Sequence, residues 1–393
     1  MSARRLARTL AAVALSLAAV TLALTAASTA EARGGPVRMN ELQVIGTHNS
    51  YKRETTEAEQ AKYDELISTP GDYDEFLLYS HASLPNQLGR QGMRGLELDL
   101  FADPQGGLYA NPLVRQRLDL GPLPDPAWRL PGTKVLHIAD FDYNTTCVQF
   151  TTCLQQIKAW SDRNLGHVPL LVMLELKGSD RRAVAQGGVQ APPWDGPALD
   201  ALDAEIRSVF GERDMITPDD VGRRGLTLEE SVLRDGWPSL ASARGQVAFL
   251  MDNDPGPSSE AYLAGRPNLE GRVLFTNSRA GRQDAAFVKR NDPEGANTAG
   301  IADLVRKGYL VRTRSDVPLR TVTADDASML EAALASGAQL ISTDFPEVGM
   351  SARYDSDFVA ELPDGGVARC NPVNARPNCE SARLEWYARR PAR

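Results

Sequence analysis

Short apolar runs recur along the chain at 42–45, 95–101, 134–138, 169–176, 246–251, 272–275, 309–312 and 339–342. Each is bounded by polar or turn-forming residues and reads as a β-strand. Several are hydrophobic almost without interruption, such as Leu170-Leu171-Val172-Met173-Leu174. A strand needs that composition when both faces of its sheet are covered, as in a parallel sheet layered with helices. The intervening segments supply those helices: 153–164 and 198–210 repeat apolar residues at helical spacing, and 328–335 is rich in helix formers. The pattern predicts an α/β fold, a TIM-type (β/α)8 barrel. Pro/Gly/Asp-rich stretches at 102–132, 178–196 and 252–256 then become βα loops, on the face where such barrels do chemistry.

The start of the chain follows a different pattern. Arg4, Arg5 and Arg8 precede an apolar stretch from Leu10 to about Ala27, then Ala30-Glu31-Ala32. That is a secretory signal, with cleavage expected after Ala32. Its apolar core is short for a membrane span, and no second run of spanning length follows. Residues 33–393 are expected to form one barrel domain, with a C-terminal appendage over about 347–393 wrapping it. The leader carries three arginines and Glu31, a net +2, so the formal charge of −8 for the chain becomes about −10 after its removal. So acidic a protein is a poor nucleic-acid binder. It also lacks the polybasic patch that would hold it on an anionic bilayer, so contact with lipid is expected to be transient or mediated by a cation. A monomer is expected. Four cysteines form two close pairs, Cys147 with Cys153 and Cys370 with Cys379. In an oxidising compartment these read as two local disulfides, since the spacings, with no histidine nearby, do not make a zinc motif.

Of the four histidines, His48 follows the first predicted strand and His137 lies near the end of the third. Strand ends of one barrel converge on one mouth, which makes this pair the candidate acid and base. Glu97-Leu98-Asp99 in the second strand puts two carboxylates on one side by the period of two, with Leu96, Leu98 and Leu100 on the other. Two acids pointing into a barrel repel each other unless a cation lies between them. Glu175 at the end of the fourth strand is a third such acid, and Asn49 beside His48 adds an amide oxygen. An all-oxygen set of Asn49, Glu97, Asp99 and Glu175 suits Ca²⁺, with Mg²⁺ as second choice, rather than zinc. The competing reading pairs these acids with Lys177, Arg94 or another base. Lys177, Arg312 and Arg314 lie near strand ends and are candidates to clasp a phosphate or sugar hydroxyls, or else salt-bridge partners. His81 follows no strand and reads as an anchor of the first βα loop; His167, before the fourth strand, is at the opposite end and reads as structural. The combination suits general acid/base cleavage of a phosphodiester.

These motifs also resemble a known family. Gly46-Thr47-His48-Asn49-Ser50-Tyr51, Tyr79-Ser80-His81, Gln87-Leu88, Gly95-Leu96-Glu97-Leu98-Asp99, Val135-Leu136-His137, Cys147 to Leu154, Trp160-Ser161 and Leu174-Glu175-Leu176-Lys177 are similar to the calcium-dependent phosphatidylinositol-specific phospholipases C of secreted actinobacterial type. The likeness is dense from Asn40 to about Lys177 and thinner over 308–314 and 337–346. It implies His48 and His137 as catalytic histidines and Asn49, Glu97, Asp99 and Glu175 as calcium ligands. It further implies a phosphoinositide lipid as substrate, cleaved to diacylglycerol and an inositol phosphate that is cyclic at first. Glycerophosphodiester phosphodiesterases share the barrel, the two histidines and the Glu-x-Asp element, but usually carry Arg where this chain has Asn49. A non-catalytic secreted binding protein is the third reading; it would be expected to lack one of these residues, and all are present.

Overall fold

The computed structural model describes residues 35–67, 71, 73 and 77–385; the expected leader, 1–32, lies outside them. Eight parallel strands form a curled sheet: β1 (Leu42–Thr47), β2 (Gly95–Phe101), β4 (Leu170–Leu176), β6 (Val247–Met251), β7 (Leu274–Thr276), β8 (Phe287–Lys289), β9 (Leu310–Arg314) and β10 (Leu340–Thr343). They pair in that order and β10 returns to β1. The joint between β7 and β8 is a single parallel bridge, Asn277 to Phe287. There the Asn277 side-chain oxygen accepts from Lys289 N at 2.9 Å, doing for the ladder what a backbone carbonyl does elsewhere. Two short strands attach at the edges: β3 (Lys134–Val135) runs antiparallel to β2, and β5 (Met215–Ile216) pairs with β6. Helices Phe150–Arg163, Gly196–Val209, Ala296–Lys307 and Ser328–Ser336 are among those covering the outside.

Two differences from the sequence expectation bear on the site. The run 134–138 is not a barrel strand: only Lys134 and Val135 pair with β2, and Leu136 instead packs with Phe101, Tyr109 and Trp128 in a core belonging to the long loop after β2. The barrel position it would have filled goes to Phe287–Lys289, a strand the pattern did not reveal. Where β1 and β2 meet, Gly46 pairs with Gly95, and a Cβ on Gly46 would lie 2.7 Å from the Gly95 Cα. The two glycines therefore set how closely these two strands, which deliver His48 and the acidic pair, can approach.

Both expected disulfides are present, Cys147–Cys153 and Cys370–Cys379. The first clamps the approach to the helix Phe150–Arg163. The second staples the C-terminal segment, whose strand β11 (Arg369–Cys370) runs antiparallel to β1. That segment continues beneath the barrel, where Glu385 forms a buried two-point ion pair with Arg94 and accepts from Val168 N. No described helix is long and apolar enough to cross a membrane.

Candidate active site

The chain leaves β1 through His48, whose N–H still pairs with Thr343 O at 2.9 Å. It then turns sharply at Asn49, which adopts a left-handed φ of 47°, a conformation asparagine tolerates better than most residues. The turn presents the His48 ring to the barrel mouth, 20 % exposed. Its Nδ1 lies 2.8 Å from Asp344 Oδ1, one residue past β10, and its Nε2 lies 3.5 Å from Glu97 Oε1. Asp344 also receives Arg314 at 2.9 Å. Burial alone would raise the Asp344 carboxyl, but His48 and Arg314 hold it below the usual carboxylate range. Burial, reinforced by Arg314, pulls the His48 imidazole down to about 3.

His137 repeats the arrangement from the loop after β2. Its Nδ1 lies 2.9 Å from Asp142 Oδ2, and burial lowers its affinity for a proton. Asp142 is in turn held by Lys52 Nζ at 3.3 Å and by the Tyr73 hydroxyl, which donates at 2.9 Å. Lys52 is wholly buried: it donates to Leu77 O at 2.5 Å and lies 4.6 Å from the centre of the Tyr79 ring. The Tyr79 hydroxyl accepts from Asn49 Nδ2 at 2.9 Å. One internal ammonium thus braces both the carboxylate behind His137 and the tyrosine that orients Asn49. An ionised carboxylate only accepts, so each ring carries its proton on Nδ1 and keeps Nε2 for the mouth.

Beside His48 are the acids. Glu97, Asp99 and Glu175 each place a carboxylate oxygen within 4.8 Å of the other two; Asp99 and Glu175 are register partners on β2 and β4. Leu96, Leu98 and Leu100 point the other way, into the main core. Burial pushes Glu97 up to about 8 against the pull of Arg312, and pushes Asp99 well above the carboxylate range against Lys177. Neither Asp99 oxygen receives a well-aligned hydrogen bond. Three carboxylates crowded together, with Asp99 buried and without an aligned donor and Glu175 partly open to solvent, are a donor set that suits a hard divalent cation, and the residues fit calcium. The Asn49 Oδ1 accepts from the Tyr51 hydroxyl at 3.4 Å.

The three candidate cationic residues occupy distinct places. Lys177 reaches the acids directly, 3.1 Å from Asp99 and 3.2 Å from Glu175. Arg312 is buried, donating to Glu97 at 3.0 Å, to Ser342 and to Asn291. Arg314 pairs with Asp344, while its Nε is buried without a hydrogen-bond partner. His81 sits beneath the first loop, its Nε2 2.9 Å from His48 O. His167 lies at the far end, bound to Ser161 Oγ at 2.8 Å and Val168 O at 2.6 Å. Asp344, Asp142 and Lys52 escaped the sequence reading; Asp344 had a legible signal, an acid directly after a predicted strand.

A barrel with clustered carboxylates and carboxylate-held imidazoles at its mouth has the build of a metal-using enzyme. The chain belongs to the family of calcium-dependent phosphoinositide phospholipases C, whose model matches residues 37–372; it is a phosphodiesterase of that family. Among solved structures it is similar to a calcium-dependent phosphoinositol-specific phospholipase C of a Pseudomonas species, at 16% identity over 85% of this chain and 95% of that one, TM-score 0.51. The same enzyme's myoinositol complex matches at 15% identity over 85% and 96%, TM-score 0.51. A calcium-dependent phosphatidylinositol-specific phospholipase C of Streptomyces antibioticus matches at 19% identity over 79% and 95%, TM-score 0.46. At these identities the Pseudomonas structures speak for the fold alone. No curated protein matches.

Proposed function

We propose that this chain is a secreted enzyme that cleaves phosphatidylinositol into diacylglycerol and an inositol phosphate, cyclic at first. His48 and His137 act as its acid/base pair, and Asn49, Glu97, Asp99 and Glu175 as its calcium ligands. The observation that carries this reading is the duplicated dyad, two imidazoles each held at Nδ1 by a buried carboxylate, together with an acidic cluster that His48 touches through Glu97. One ring takes the proton from the inositol 2-hydroxyl as its oxygen bonds to phosphorus. The bond from phosphorus to the glycerol oxygen breaks, and the other ring returns a proton to that oxygen. Both rings favour the neutral form in the fold; the phosphate anion entering beside them favours protonation of the one that serves as acid. Bound calcium supplies neutralisation of charge on the phosphate oxygens. The nucleophile belongs to the substrate, so positioning supplies much of the acceleration. Secretion is supported by the leader pattern and by two formed disulfides.

The deciding assay compares phosphatidylinositol with glycerophosphoinositol, each with calcium and with chelator. Turnover of phosphatidylinositol that chelator abolishes is expected. Calcium-independent turnover, or cleavage of the deacylated compound alone, would overturn the reading.

A further inference from the structure

We propose that the pocket between the loops after β4 and β6 is a leaving-group subsite, taking the glycerol backbone and first acyl carbons of the substrate; this rests on the phosphatidylinositol reading above. The pocket has a volume of about 770 Å³, within the range of sites that bury a small ligand. It adjoins the acidic cluster through one residue, Lys177, whose ammonium touches Asp99 and Glu175 and which also lines the pocket. Beyond Lys177 the walls turn apolar: Val184, Ala185, Pro192 and Trp194 on one side, Pro257 on the other. Trp194 donates its Nε1 to Lys177 O at 3.0 Å. The indole's one polar atom is therefore satisfied, and its carbon face is locked beside the residue that reaches the acids.

The wall is preformed. Asp180 caps the helix Arg181–Ala185 by accepting from Arg182 N and Ala183 N. Ser179 Oγ accepts from Ala191 N at 2.7 Å, and Asp140 accepts from Val189 N at 2.8 Å. The polar side chains of the lining are Lys177 at the inner end, Arg181 and Gln190 at the exposed rim, Ser258, and Ser179, whose Oγ already accepts from Ala191 N and Gln190 Nε2. That gradient matches a phospholipid leaving group, whose oxygen sits on phosphorus and whose chain becomes apolar within a few bonds. An inositol ring fits it badly, since its hydroxyls would lose water against carbon walls. Hydrogen-bonding side chains at the ends of β6, β7 and β8, with Lys289 2.8 Å from Asp252 and Asn277 3.1 Å from Asp254, lie outside the pocket.

The test uses monomeric, water-soluble phosphatidylinositols below their aggregation threshold, with butyroyl or hexanoyl chains, and the methyl ester of inositol phosphate, which has no glycerol. Wild-type kcat/KM should rise with chain length, by about tenfold or more from methyl to dihexanoyl, as a few methylenes become buried. Ala185 is exposed, so Ala185→Trp fills the pocket without disturbing the core. It should bring that ratio close to one through a fall in the dihexanoyl value. A wild-type enzyme indifferent to the leaving group, or a ratio that survives Ala185→Trp, overturns the subsite while leaving phosphatidylinositol cleavage intact. Failure to cleave any of these compounds sinks both.

Discussion

The two ends of this barrel both bury charge, and they do so in opposite ways. At the lower end Arg94 and Glu385 meet in a two-point ion pair, with further donations to Leu88 O and Met93 O. His167 there has both ring nitrogens engaged. At the mouth, three carboxylates crowd within 4.8 Å, Asp99 lacks well-aligned donors, and His48 and His137 each have Nδ1 alone in a hydrogen bond. Paired burial holds a fold together. Crowded acids that Lys177 and Arg312 offset only in part cost stability, and a protein keeps such a cluster where the charges have a ligand or a reaction to serve.

The largest expected effect breaks the comparison at its histidines. His137→Ala should lower kcat by about 10²–10⁴-fold with little change in melting temperature. His167→Ala should leave kcat per folded molecule intact and cost about 2 kcal/mol of stability, as buried partners are left unmatched. Steady-state kinetics beside thermal melts would decide, and the opposite assignment of the two losses would remove His137 from the chemistry. The lower end supplies the next effect. Glu385→Ala strands a buried guanidinium and should cost about 3–5 kcal/mol, seen as a lower denaturant midpoint at unchanged specific activity. A variant as stable as wild type would mean that the C-terminal segment does not close the barrel's base.

How much of this was legible follows from the same physics. Strands covered on both faces advertise themselves as unbroken apolar runs, so β4 and β6 were plain. The run at 134–138 carries Val135, Leu136 and Ile138 because a loop core buries Leu136, and hydrophobicity cannot say which neighbour does the burying. Phe287-Val288-Lys289 was missed because three residues carry no period and its lysine turns to the polar mouth. In the site, His48, Glu97, Asp99 and Glu175 could be found because strand ends and the period of two fix direction. Asp142 could not: it reaches His137 across a five-residue loop turn. Lys52 had no signal at all, since a lysine beside a turn reads as solvated, and here it is wholly buried.

His81 provides a smaller effect with a definite sign. It is buried, and burial lowers its pKa from 6.5 to about 4. Above pH 6.5 the ring is neutral folded or unfolded, and its contribution is constant. As pH falls below 6.5 the unfolded chain takes up a proton that the fold refuses until about pH 4, so stability drops through that window, by up to about 3 kcal/mol. The depressed His48 pushes in the same direction. Urea midpoints at pH 7.5 and 4.5 should differ less for His81→Gln than for wild type; identical pH dependence would mean that the ring is not held neutral.

The smallest effect is the sharpest test of the contrast, because the two ends should respond to loss of a charge with opposite signs. At the base, removing a carboxylate leaves its partner alone. At the mouth, Asp99 lies among like charges, with one lysine shared between it and Glu175. Asp99→Asn keeps the shape, relieves the repulsion and leaves Lys177 paired with Glu175. In chelator it should stabilise the fold by about 1 kcal/mol, a rise of a few degrees in melting temperature. Calcium, which stabilises whatever folded state it binds, should raise the wild-type melting temperature and raise that of the variant much less. A variant that melts lower than wild type in chelator would show Asp99 to be a structural ion-pair partner of Lys177, and the mouth would then be built like the base.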